Sequence, residues 1–288
     1  MKAAIRGIHE KYRIVGRDRE LRYSLACLSA GRNLMLEGPV GVGKSVMAEA
    51  LAQQLGKDLF RVDGDERYTE QKMIGWFDPA LVLKGGYQPE FFIKGPLAGA
   101  MESGGILFVN EINRMPEAVQ NVLLPAMEER RVVVPQYRSV LAKDGFLIIA
   151  TQNPVEFVAT SHLSEALIDR FEFVQLDYQE HEEEIEIVRR NLREPLKKDS
   201  GEELDILIQS SVSLVRKTRN HPKIRRGASV RAAIGMVEVA MALGGGLYSL
   251  PEAARISLLH RLEVSDESGQ SAEAVLDEIL DDTVKKKD

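Results

Sequence analysis

The first two-thirds of the chain alternates short apolar runs with amphipathic segments. The apolar runs lie at residues 33–36, 59–62, 106–109, 146–150 and 172–176, and they are typical of strands buried in a sheet. In residues 46–55, Met47, Ala50, Leu51 and Leu55 share one face of a predicted helix. Strands that alternate with helices predict an α/β fold, in which helices sandwich a parallel five-stranded sheet.

The pattern changes near residue 177, after which we find helical periodicity alone. Helix candidates lie at residues 180–192, 203–217, 229–243 and 251–262. A chain of 288 residues is long for one compact nucleotide-binding fold. We therefore expect an α/β core over residues 1–176, with hairpin insertions near 81–94 and 131–141, and a smaller all-helical domain over 177–288.

A glycine-rich segment joins the first predicted strand to the first predicted helix. It comprises Gly38, Pro39, Val40, Gly41, Val42, Gly43, Lys44 and Ser45, and Val46 continues into the helix. A phosphate-binding P-loop has this context, because glycines let backbone N–H groups turn inward at the helix N-terminus. Lys44 would reach the β and γ phosphates and Ser45 would bind magnesium. The alternative is a chance glycine-rich turn.

The apolar run at 106–109 ends in Asn110 and Glu111, the pattern of a Walker B strand. Such a strand ends beside the P-loop, so Asn110 would lie near the magnesium ion and Glu111 would polarise the attacking water. Asn110 stands where an Asp is usual, and an amide contributes no charge. We expect weaker magnesium binding with hydrolysis retained. The alternative is a strand followed by a helix cap.

The run at 146–150 leads into Thr151-Gln152-Asn153-Pro154, which places polar groups at the carboxyl edge of the predicted sheet. Asn153 fits a residue that senses the γ phosphate. An Asn before Pro is also a common turn starter. The neighbouring motifs favour the phosphate-sensing role.

Composition narrows the functional classes. The net charge is −6, and no run approaches the length of a membrane span, so we expect neither general nucleic-acid binding nor membrane insertion. The first 20 residues carry charges throughout and do not resemble a secretory signal, which leads us to expect a cytoplasmic protein. One cysteine and five scattered histidines lack the spacing of a metal site.

Six motifs in order resemble the AAA+ ATPases, and among them the MoxR family, over about residues 14–262. They are GPVGVGKS, ILFVNEINRMPEAVQNVLLPAMEER, ATQNP, LSEALIDRF, TRNHP and GASVRA. The resemblance implies a P-loop NTPase core followed by a helical lid. It also implies that Arg170 is an arginine finger for the neighbouring subunit and that Arg231 is a second sensor of the nucleotide. The alternatives are a surface ion pair of Arg170 with Asp169 or Glu165, and a solvated Arg231.

The same resemblance implies a homo-oligomeric, hexameric ring that hydrolyses Mg-ATP to remodel a partner protein carrying a von Willebrand factor A domain. The two hairpins would then face the ring opening, where Tyr87, Phe91 and Phe92 would contact the partner or else pack as an ordinary loop. Two other readings stay open. One is a DNA-translocating or chelatase-type motor, and the other is a nucleotide switch in which Asn110 slows hydrolysis.

Overall fold

The computed structural model describes residues 1–135, 138–153, 163–193 and 201–284. The chain divides into two compact units. The first unit comprises Met1–Pro39 and Gly43–Asp177, and the second comprises Val40–Val42 and Tyr178–Asp288. The tip of the glycine-rich loop is thus grouped with the second unit.

A five-stranded parallel sheet forms the centre of the first unit, in the order β2-β5-β8-β1-β9. The strands of this unit are β1 Asn33–Glu37, β2 Leu59–Asp63, β3 Gly75–Phe77, β4 Phe92–Lys94, β5 Ile106–Asn110, β6 Arg131–Val133, β7 Ser139–Leu141, β8 Leu147–Gln152 and β9 Phe171–Gln175. The central strands β1, β5 and β8 are almost wholly buried, as their apolar runs require. The predicted fold class is confirmed.

Helices surround this sheet. They are Lys2–Tyr12, Asp18–Ser29, Lys44–Gln54, Glu70–Ile74, Pro79–Gly85, Pro96–Ser103, Glu117–Asn121, Leu123–Glu128 and Glu165–Ile168, with 3-10 turns at Pro89–Phe91 and Ile112–Arg114. The helix Lys44–Gln54 buries Met47, Ala50 and Leu51 of its predicted inner face, and it also buries Ala48 and Ala52.

The predicted hairpin over residues 81–94 is wrong. Asp78 accepts hydrogen bonds from the N–H groups of Ala80 and Leu81 and caps a helix, Pro79–Gly85, which has proline at its first turn. The Gly85-Gly86 pair ends this helix. The antiparallel ladder of this region pairs β3, which precedes the helix, with β4, which follows it. In the second predicted region, β6 pairs with β7 in an antiparallel ladder.

The second unit is helical and contains one short ladder that the sequence pattern did not indicate. Its helices are His181–Asn191, Glu202–Asn220, Val230–Ala242, Leu250–Leu258 and Ala272–Val284, with 3-10 turns at Gly246–Ser249, Leu259–Arg261 and Asp266–Ser268. The ladder pairs β10 (Ile224–Arg226) with β11 (Glu263–Val264). Strands of three and two residues are too short for a periodicity signal.

No single helix in the described ranges has the length and apolar character of a membrane span. The segments Val230–Ala242 and Gly246–Arg261 meet those criteria only as a pair, which is bent by 119°.

A buried ion pair network links the helices of the second unit. Glu184 is 2% exposed, and its two carboxylate oxygens accept from Arg219 at 2.7 Å and Arg216 at 3.2 Å. The Arg219 guanidinium also stacks 3.7 Å from the Tyr178 ring centre and donates through Nε to the Ala228 carbonyl at 2.7 Å. The network therefore holds the start of this unit, the helix Glu202–Asn220 and the segment before Val230 together.

We expect Glu184→Ala to lower the free energy of unfolding by about 3 kcal/mol, because removing one member of a buried ion pair strands the other charge. Glu186→Ala is the matched control, since its half-exposed pairs with Arg189 and Arg190 contribute about 0.5 kcal/mol. Urea unfolding followed by circular dichroism measures both variants, and hydrogen exchange in Glu202–Asn220 localises the loss. Equal losses in the two variants would contradict this prediction.

Candidate nucleotide-binding site

The loop between β1 and the helix Lys44–Gln54 contains glycines with positive φ and is followed by a lysine that folds back onto it. Gly43 precedes the helix with φ 93°, a left-handed conformation that strains residues with a side chain. The Lys44 ammonium donates to the carbonyls of Gly38 at 2.7 Å and Pro39 at 2.8 Å. The cation thus lies against the loop, where phosphate oxygens would compete with these carbonyls for its protons.

Ser45 and Asn110 are in direct contact. The Ser45 hydroxyl donates to Asn110 Oδ1 at 2.9 Å, which ties the first turn of the helix to the end of β5. Because the hydroxyl proton points at Asn110, the oxygen lone pairs of Ser45 remain for another partner.

Thr151 joins this contact from β8, although the sequence analysis did not propose a role for it. Its side chain is fully buried, donates to Asn110 Oδ1 at 3.0 Å and accepts from the Glu111 N–H at 2.8 Å. Its position directly after the apolar run at 146–150, at the edge where Asn110 was expected, was the signal that could have identified it.

Asp63 completes the cluster from β2 and was also missed. Parallel pairing sets Asp63 opposite Asn110, and Asn110 Nδ2 donates to Asp63 Oδ1 at 2.9 Å. Hydrogen bonds from Arg61, and then from Asn110, lower the pKa of Asp63, against the opposing effect of burial. Asp63 is therefore an anion at neutral pH.

Glu111 has an unusual backbone. Its φ of 56° is left-handed, which is uncommon for a residue other than glycine and costs on the order of 1 kcal/mol. The hydrogen bond from its N–H to Thr151 stabilises this conformation. Its carboxylate is about one-third exposed and accepts from Arg114 at 2.9 Å.

Asn153 lies at the same sheet edge, one residue beyond β8, and is 6% exposed. Asn153 therefore lies at the sheet edge where β5 ends in Asn110 and Glu111 follows. Pro154 and the residues up to 162 lie outside the described ranges.

Arg170 forms ion pairs within its own unit. Its guanidinium contacts the carboxylate of Glu128, donates to the Ala166 carbonyl at 2.6 Å and lies 3.7 Å from Asp169. Its Nε is buried and has no hydrogen-bond partner among the described residues. Asp169 was one of the two partners that the ion-pair alternative named, and Glu128 was not foreseen.

Arg231 lies in the second unit, exposed, in the first turn of the helix Val230–Ala242. The backbone that leads into this helix is held by hydrogen bonds to both polar groups of Ala228. The Ala228 N–H donates to Thr218 Oγ1 at 3.0 Å, and its carbonyl accepts from Arg219. The backbone just before Arg231 is therefore held in a defined position within the second unit.

The donor set at the sheet edge fits magnesium. Ser45 and Asn110 offer a hydroxyl and an amide oxygen, and the Asp63 carboxylate lies behind the amide; oxygen atoms are the hard ligands that this ion prefers. Among the described residues, no group of three or more His, Cys, Asp or Glu side chains is arranged to hold a metal. Magnesium at this edge would therefore depend on Ser45 and on the nucleotide for part of its ligands.

We expect Thr151→Val to lower the free energy of unfolding by about 2 kcal/mol, because the isosteric side chain leaves the Glu111 N–H unsatisfied. Thr151→Ser keeps the hydroxyl and should retain most of that stability. Thermal unfolding of both variants measures the difference. A Val variant as stable as the Ser variant would show that this hydroxyl does not hold Glu111.

Comparisons with known proteins agree with this geometry. A family model of the AAA domain, dynein-related subfamily, matches residues 33–171, from the start of β1 to the first residue of β9. The uncharacterized protein YeaC of Bacillus subtilis is 32% identical over 287 residues, covering 89% of this chain and 86% of its own length.

Two solved structures share the fold. A candidate ATPase from Cytophaga hutchinsonii is 25% identical, has a TM-score of 0.53 and covers 96% of this chain and 93% of its own. The RuvB Holliday junction branch migration motor of Thermotoga maritima is 17% identical, with a TM-score of 0.52 over 84% of this chain and 70% of its own. The chain therefore belongs to the same family as YeaC and is an AAA+ protein, in which residues 33–171 match the AAA domain of the dynein-related subfamily.

Proposed function

We propose that this chain is an ATP-hydrolysing AAA+ subunit of the MoxR type that remodels or activates a partner protein. The observation that carries the proposal is the hydrogen-bonded chain at the sheet edge. It runs from Ser45 through Asn110 and Thr151 to the backbone of Glu111. This series of hydrogen bonds connects the loop that would bind phosphate to the residue whose carboxylate would act on water.

Nucleotide binding is assigned to the loop from Gly38 to Val46. Lys44 would exchange its two carbonyl partners for phosphate oxygens, which are stronger acceptors because they are charged. Ser45 and Asn110 would hold magnesium, which when bound neutralises charge on the phosphates.

Hydrolysis is assigned to Glu111. Positioning supplies most of the catalysis in phosphoryl transfer, so a carboxylate that orients water is sufficient. The contacts of Glu111 with Thr151 and Arg114 define where this carboxylate lies. Asn153, buried at the same edge, would sense the γ phosphate through its amide.

Arg170 would act in the site of a neighbouring subunit of a homo-hexameric ring. The guanidinium would leave Glu128 for the transferred phosphoryl group, where it offsets developing charge. Both members of this ion pair are partly exposed, so breaking it costs at most about 1 kcal/mol. Arg231 would report the nucleotide state from the second unit.

The region around the β3–β4 ladder supports a role in partner binding. It exposes five large apolar side chains, namely Trp76, Leu81, Leu83, Tyr87 and Ile93. Tyr87 packs edge-on against Phe77 while remaining half exposed. Phe92 is buried against Phe77, so its proposed contact with a partner is wrong. A protein with a von Willebrand factor A domain is the partner that the motif order favours.

Asn110 supports the second candidate, a nucleotide switch with slow hydrolysis, because it lacks the usual charge. Steady-state phosphate release distinguishes the two. Turnover by the wild type would exclude the switch, and stimulation of that turnover by DNA would favour the motor alternative.

We expect Glu111→Gln and Arg170→Ala each to lower phosphate release at least 100-fold while leaving nucleotide binding within about threefold. Mixing the two inactive variants should then restore activity. In a random one-to-one ring, about one quarter of interfaces pair an intact Glu111 with an intact Arg170. Lys143→Ala is a control at an exposed position, and it should change neither phosphate release nor nucleotide binding.

Assembly state in each mixture is checked by size-exclusion chromatography with light scattering. Activity that stays absent in mixed, assembled rings would contradict an action of Arg170 between subunits. Full activity of Arg170→Ala alone would leave the ion pair with Glu128 as its only role.

We expect Leu83→Ser to weaken binding to a von Willebrand factor A domain protein at least fivefold, because Leu83 is 89% exposed and would be buried at that interface. Tyr248→Ser is the matched control, since Tyr248 is 94% exposed in the second unit. Phosphate release should be unchanged in both variants. Equal binding of both variants, in a pull-down with a purified domain that binds the wild type, would exclude this surface.

A further inference from the structure

The hydrogen bond between Asn110 and Asp63 determines which way the Asn110 amide points. A carboxylate can only accept hydrogen bonds, so it selects the amide nitrogen of Asn110 as its partner. The amide oxygen must then face the hydroxyls of Ser45 and Thr151. Without Asp63, the amide could rotate by 180° and present its nitrogen to Ser45.

Asp63 also supplies charge that Asn110 lacks. Its Oδ1 lies 2.9 Å from Asn110 Nδ2, so the negative charge is one side chain removed from Ser45. A carboxylate that polarises an amide makes the amide oxygen a better acceptor. Hydrogen-bonded groups behind metal ligands typically change metal affinity by about 10–100-fold.

Three features hold Asp63 in place. Parallel pairing sets Asp63 opposite Asn110, at the ends of β2 and β5. The next residue, Gly64, donates its N–H to the Asn110 carbonyl at 2.7 Å. A Cβ on Gly64 would lie 2.0 Å from the Glu111 carbonyl oxygen, so only glycine permits this close approach.

We propose that Asp63 is a positioning residue of the magnesium site, where it orients the Asn110 amide and provides the negative charge that this amide does not carry. The inference rests on the proposed function, since it assigns a role toward the magnesium of a bound nucleotide. It makes the anionic group of the site a residue of β2 instead of one at the end of β5.

A simpler explanation would be that Asp63 is only the ion-pair partner of Arg61. Arg61 donates to Asp63 at 2.9 Å and to Glu49 at 2.8 Å. The two explanations differ in the direction in which removal of Arg61 should change the magnesium requirement. If Asp63 acts on magnesium, removing the Arg61 cation strengthens the local negative field, whereas removing Asp63 weakens it.

The test compares Asp63→Asn with Asp65→Asn, a nearby carboxylate that forms an ion pair with Arg67. Binding of a fluorescent ATP analogue is titrated in EDTA and then across magnesium concentrations, which requires no turnover. We expect Asp63→Asn to raise the magnesium concentration for half-maximal binding at least tenfold. Binding in EDTA should be unchanged, Asp65→Asn should match the wild type, and Arg61→Gln should lower the magnesium requirement or leave it unchanged.

A charge swap gives the second arm. Asn110→Asp alone should lower the magnesium requirement, but it should also lower the melting temperature without metal, because two carboxylates then face each other. The double variant Asp63→Asn with Asn110→Asp should return both values to within about threefold and a few degrees of the wild type.

Several outcomes would overturn the inference. They are a magnesium requirement unchanged by Asp63→Asn, one raised equally by Asp63→Asn and Arg61→Gln, or a swap that restores nothing. If the wild type still binds the ATP analogue in a magnesium-dependent way in these cases, the proposed function stands. A wild type that binds no nucleotide, with or without magnesium, overturns both.

Discussion

The parallel register of β2, β5 and β8 is the constraint on which the candidate site depends. Because the three strands end at one edge, Asp63, Asn110 and Thr151 are brought into contact without any loop having to carry them there. Side chains at strand ends are more precisely placed than side chains on loops. A shift of β2 by one residue would turn Asp63 to the opposite face and leave Asn110 without its acceptor.

The Asn110 amide is the junction of this edge. It accepts from two hydroxyls and donates to one carboxylate, so three elements and the P-loop helix meet on one side chain. Such a network has a single consistent assignment of donors and acceptors, which specifies one conformation. The left-handed backbone of Glu111 fits the same logic, because its N–H is directed at Thr151 in that conformation.

Features that depend on local sequence could be predicted, and features that depend on pairing between distant segments could not. The strands of the sheet follow from apolar runs, and the loop from Gly38 to Ser45 follows from its glycines and the flanking elements. Asp63 directly follows the apolar run at 59–62, which was a signal, but that position does not show that Asp63 pairs with Asn110; the register with β5 does. The Pro79–Gly85 helix was misread since the Gly85-Gly86 pair suggested a turn, whereas Asp78 and Pro79 are the stronger signal for a helix start.

The two arginines assigned to nucleotide response differ in how they are held, and this difference bears on how each could act. Arg170 is restrained by carboxylates that are themselves partly exposed, so its guanidinium can change partner at small cost in free energy. Arg231 is held differently, because the backbone of Ala228, three residues before it, is fixed by Thr218 and by Arg219, and Arg219 is held in turn by the buried Glu184. A side chain on a backbone held in this way would move together with its helix. In the proposed function, Arg170 would therefore act through exchange of ion pairs, and Arg231 would act through displacement of the helix that carries it.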